Sequence, residues 1–124
     1  MSLVANRIAF SPEDLRRVEE IERLAHGGGV DRLIAMLDDP SWAVRRSVVA
    51  ALAASGPGAV GLLCEALQHR RGTEGRIAAT VDALSAFTGD ADAALAALAT
   101  TAEVPVLADI AQILGRRRCR PRAG

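Results

Sequence analysis

Residues 30–56, VDRLIAMLDDPSWAVRRSVVAALAASG, decide the fold. Val30, Leu33, Ile34 and Leu37 stand at the i, i+3, i+4, i+7 spacing that places four apolar side chains on one face of a helix. Asp38 and Asp39 close that run, Pro40 cannot donate to a continuing helix, and Ser41 is suited to cap the next one. Val44, Val48, Ala51 and Leu52 form a second stripe, and Gly56 is placed to end it as a left-handed cap. Two short helices folded back on each other cannot bury both stripes alone, so the hairpin requires neighbours of its own kind.

The neighbours follow in the sequence. Val60, Leu63, Cys64 and Leu67 repeat the first stripe at an offset of 30. Ile77, Thr80, Val81 and Leu84 repeat Val44, Ser47, Val48 and Ala51 at an offset of 33, and Gly89 stands 33 after Gly56. A third pair is expected from Ala91, Ala94, Leu95 and Leu98, then Leu107, Ile110, Ala111 and Leu114. A period of about 30 residues is the length of one helix-turn-helix unit of a solenoid. Ahead of the repeats, Ser11, Pro12, Glu13 and Asp14 start a helix expected to run to about Ala25, with Phe10 stapled on Leu15. Its stripe is Leu15, Val18, Ile21 and Leu24, and Gly27, Gly28 and Gly29 stop it. Leu3, Val4 and Ile8 fit either a short helix or a packed arm.

The chain therefore divides into an arm and capping helix (1–29), three helical hairpins (30–115) and a basic tail (116–124). Its 124 residues suffice for one domain with a core. Half of them are apolar, only 2% are aromatic, and scarce β-branched alternation favours an all-α fold of about seven helices.

Leu37, Asp38, Asp39, Pro40, Val44, Arg45, Ala50, Ala51 and Leu52 resemble the Leu-x-Asp-Pro turn, Val-Arg pair and Ala-Leu run of HEAT repeats, in the short bacterial form found in phycobilisome-lyase-like proteins. The resemblance covers roughly residues 30–115. It is closest in the first unit; the second has Gly72, Thr73 and Glu74 in place of the Asp-Pro turn, and the third matches by spacing only. It implies a right-handed α-α superhelix whose first helices line the convex side and whose second helices line the concave side. It also implies that Arg45 ties its helix to Asp38 or Asp39.

On the face of each second helix opposite the core stripe stand Arg46, Val49 and Ala53, then Ala79, Asp82 and Ala86, then Asp109, Gln112 and Arg116. By the resemblance these make a concave, partner-binding ridge; the plain alternative is a solvated surface. Trp42 and Arg46, four apart, are spaced for a cation–π stack with the composition of a binding hot spot. Alternatively, Trp42 folds down over the gap between two units. The reading favoured is a non-catalytic scaffold or adaptor gripping a protein partner through Trp42, Arg46, Val49, Asp82, Asp109 and Gln112.

All fifteen basic residues are arginine, read first as a coding bias. Five of them, Arg116, Arg117, Arg118, Arg120 and Arg122, fall in the last nine residues with no acid, leaving ten against fifteen acids elsewhere. Such a tail suits salt-sensitive contact with nucleic-acid phosphates or an acidic membrane surface, unless Arg116 to Arg118 simply extend the last helix. A third reading makes the chain an auxiliary subunit of a cofactor-attaching lyase, with the chemistry supplied by a larger partner.

Catalytic readings lack parts. His26 and His69 make no His-Glu pair, Gly27 to Gly29 lack the ending of a phosphate loop, and Cys64 repeats the core residue Ile34. No catalytic residue, metal site or cofactor is expected. Two cysteines make no disulfide framework, and neither a membrane span nor a signal peptide is visible, so a cytoplasmic setting is expected. In the last helix only Asp109 and Gln112 are polar between Val104 and Leu114, which leaves Val106 and Ile113 to be covered, by self-association, by a longer array or by the tail.

Overall fold

The computed structural model of the chain describes residues 11–119. The expectations for Leu3, Val4, Ile8, Phe10, Arg120 and Arg122 fall outside that range. Seven α-helices and no strand occur among the described residues: α1 (Pro12–Gly27), α2 (Val30–Ala35), α3 (Trp42–Ala53), α4 (Gly58–His69), α5 (Glu74–Ala86), α6 (Asp92–Ala99) and α7 (Val104–Cys119). They pack as two rows. In one, α1, α3, α5 and α7 each lie against the next; in the other, α2, α4 and α6 do so. The fold is all-α.

Capping chemistry sets the helix starts. The Ser11 hydroxyl accepts from the Asp14 N–H at 3.1 Å, Ser41 from Val44 at 3.4 Å, and Thr73 from Arg76 at 3.1 Å, satisfying donors that a first helical turn leaves open. Helix α1 runs slightly past Ala25, and Gly28 closes it at φ 78°, a left-handed conformation that a side chain would strain. Gly56 and Gly89 do not share that role: among the described residues only Gly28 and Gly72 have positive φ. Helix α3 stops at Ala53, short of Gly56. Gly89 is a glycine for another reason, since a Cβ there would stand 2.8 Å from the buried Phe87 ring.

The first two stripes and their repeats form the core as spaced. Leu33, Ile34, Leu37, Val44, Val48 and Leu52 are buried together with Val60, Leu63, Cys64, Leu67, Val81 and Leu84. The last helix differs from expectation. Its buried face is Val106, Ile110 and Ile113, whereas Leu107 and Ala111 are exposed. Val106 and Ile113 therefore need no cover, because α5 and α6 already provide it. Helix α7 also continues through Gly115 to Cys119, taking Arg116, Arg117 and Arg118 into the helix.

The turn between α2 and α3 is a polar junction. Arg17 pairs with the Asp39 carboxylate at 2.6 Å, the Ser41 N–H donates to that carboxylate at 2.9 Å, and the Ser41 hydroxyl donates to Asp14 at 3.1 Å. Arg45 ties its helix to Asp39, one of the two residues the family pattern implied, but through the backbone carbonyl at 2.6 Å, the carboxyl group being held by Arg17. Asp38 instead faces Arg76 at 3.5 Å. In the second unit Arg76 donates to the Arg70 carbonyl at 2.9 Å, again six residues back. The two turns share no sequence, yet one arginine braces each.

Candidate functional site

Trp42 is the first residue of α3, where the Ser41 cap and the Pro40 turn point it away from the Val44–Val48–Leu52 stripe. It is 62% exposed and so does not fold into the gap between units. Arg46, one turn later, lies over its ring with the guanidinium carbon 5.1 Å from the centroid. Among the described residues Arg46 makes no ion pair.

Beside this pair runs a valley of about 500 Å³ between α3 and α5. Trp42, Arg46 and Val49 form one wall, Asp82 and Ala86 the other, and Gly75, Ala78 and Ala79 keep the α5 side low. A smaller valley of about 220 Å³ lies between α5 and α7, lined by Ala78, Asp82, Asp109, Gln112 and Arg116. The six expected partner-binding residues thus share one face made by α3, α5 and α7. Ala53 leaves that face for the core, and Ala79 is buried at its floor.

One charge pair crosses the second valley, and another anchors its α7 side from the loop after α4. Arg116 meets Asp82 at 2.7 Å, and Asp109 is held by Arg71 at 2.8 Å. Arg117 has a different task. Its side chain, 11% exposed, donates to the carbonyls of Leu84, Phe87 and Gly89 at 3.0, 2.9 and 2.9 Å and also faces Asp92, so it satisfies the C-terminal end of α5. Of the expected basic tail, Arg116 and Arg117 are committed to α5, and Arg118 is exposed.

Ala79 and Ala86 stood on the expected ridge, whereas Gly75 and Ala78 were not among the expected site residues. The available signal was a run of small residues at 75, 78, 79, 82 and 86 broken by one acid, a helical face that buries no bulk. Cys64 lies in the core, where burial pushes its thiol pKa up and keeps it protonated. His26 and His69 occupy the last turns of α1 and α4. Among the described residues no three His, Cys, Asp or Glu side chains gather as metal ligands would, and no helix is long and apolar enough to cross a membrane. Comparison with protein-family models, curated protein sequences and solved structures found no match to this chain.

Proposed function

We propose that the chain is a non-catalytic interaction module, a HEAT-like right-handed solenoid that grips a protein partner along the face made by α3, α5 and α7. The observation that carries the reading is the exposed Trp42–Arg46 stack on the wall of an open valley whose floor is small and apolar. Exposed tryptophan and arginine dominate the energetics of protein interfaces, and a stacked pair is already ordered, so binding loses less side-chain entropy. Val49, Asp82, Asp109 and Gln112 extend the same face. A nucleic-acid reading would rest on Arg118, Arg120 and Arg122, since Arg116 and Arg117 already hold α5.

The test is capture of interacting proteins by three full-length baits: the intact chain, Trp42→Ala with Arg46→Glu, and Arg118, Arg120 and Arg122 all changed to Ala. The tail is tested by substitution because truncation after Gly115 would remove the Arg117 brace. A protein partner retained by the tail variant and lost by the valley variant, with unchanged circular dichroism, supports the proposal. Recovery of nucleic acid that depends on the tail arginines and washes off with salt would replace it.

A further inference from the structure

Three large apolar side chains are exposed among the described residues; Trp42 is in the valley, and the other two, Val104 at 77% and Leu107 at 39%, stand on α7. They belong to a stripe. Val104, Leu107, Ala108, Ala111, Gly115 and Arg118 are all exposed and recur at helical spacing on the side of α7 turned away from Val106, Ile110 and Ile113. It is also distinct from the face that Asp109, Gln112 and Arg116 present to the smaller valley.

The stripe is nearly symmetric about Ala111. Leu107 and Gly115 lie four residues to either side, Val104 and Arg118 seven, and the acid Glu103 sits just before the helix starts. Neither Glu103 nor Arg118 makes an ion pair among the described residues. Gly115 has no internal reason to be glycine: a Cβ there would meet nothing within 4 Å, although a glycine within a helix costs about 1 kcal/mol against alanine.

We propose that this face of α7 pairs with the same face of a second copy, the two helices antiparallel about a two-fold axis at Ala111. That arrangement is self-complementary. Each Leu107 seats over the other copy's Gly115, the two Ala111 meet at the axis where small side chains permit close approach, and each Glu103 comes beside the other copy's Arg118. Parallel pairing would oppose like residues, Arg118 against Arg118, and lose both complementarities. The 16 residues of α7 limit the contact to a length of about 24 Å, and the dimer is concentration-dependent.

Sedimentation equilibrium of the full chain under reducing conditions, which keep the exposed Cys119 from cross-linking copies, tests this. A monomer–dimer equilibrium is expected. Ala111→Glu, which sets two carboxylates against each other at the axis, should shift it to monomer. Glu103→Arg and Arg118→Glu should each weaken it about tenfold, since each reverses two symmetry-related pairs, and combining them should restore it to within about threefold. Trp42→Ala should leave it unchanged, which separates this surface from the valley. A monomer at every concentration, a dimer indifferent to these charge reversals, or assemblies larger than two would overturn the proposal.

Discussion

Two valleys flank α5 and share Ala78 and Asp82, but the one toward α3 has a volume of about 500 Å³ and the one toward α7 about 220 Å³. The difference lies in where the arginines go. On the α7 side Arg116 pairs with Asp82, Arg71 with Asp109, and Arg117 reaches the carbonyls that end α5. On the α3 side Arg45 is spent on the Asp39 carbonyl, while Arg46 has only the Trp42 ring. In a chain whose every basic residue is arginine, abundance says nothing about function. What separates a binding arginine from a bracing one is whether the fold has already supplied its acceptor.

The largest effect expected from breaking this contrast is on the braced side. Arg117→Ala removes three hydrogen bonds to carbonyls at the C-terminal end of α5 and should cost about 2–3 kcal/mol of stability by urea or thermal unfolding. Arg117→Lys should recover only part, because one ammonium cannot span three acceptors. A loss within about 0.5 kcal/mol, the range of an ordinary surface change, would show that α5 ends without this brace.

The next effect belongs to the open side. Trp42→Ala should leave stability within about 0.5 kcal/mol, since the ring is mostly solvated, while weakening partner affinity about thirtyfold, the scale of an interface hot spot. A large fall in melting temperature with binding retained would make Trp42 a packing residue and remove the contrast between the valleys.

Spacing alone placed the buried faces of α2, α3, α4 and α5, because their apolar stripes are flanked by charge and repeat at fixed offsets. It misplaced the face of α7, where Val104, Val106, Leu107, Ile110, Ala111, Ile113 and Leu114 offer apolar residues on most sides and the 3.6-residue period fits more than one choice. Arg117 could have arbitrated, being buried on the same side as Ile110 and Ile113, but an arginine reads as solvent-facing until its carbonyl acceptors about thirty residues earlier are known. Arg76 was hidden for the same reason. Trp42, Arg46 and Asp82 were legible in the candidate face because charge and aromaticity off the core stripe are conspicuous. Of the valley floor only Ala79 was placed on that face; Gly75 and Ala78 were not, since they act by leaving space.

The smallest expected effect sharpens the comparison most. Arg116 and Asp82 are both about half exposed, and a solvated pair contributes under about 1 kcal/mol after screening and side-chain ordering. Arg116→Ala should therefore cost about 0.5 kcal/mol at low salt and less at high salt, where added ions weaken a half-exposed pair. The cost of Arg117→Ala should change little over the same range, because its side chain is 11% exposed and its acceptors are carbonyls. Unfolding both variants in urea across a salt series checks this in one experiment. If the two respond to salt alike, neighbouring arginines on one turn of α7 are not divided between surface pairing and helix capping, and the narrowing of the second valley needs another cause. If only Arg116 responds, the pair across that valley is a weak, solvated strap, and the Asp82 carboxylate is available to the larger valley, which it faces from the wall opposite Trp42 and Arg46.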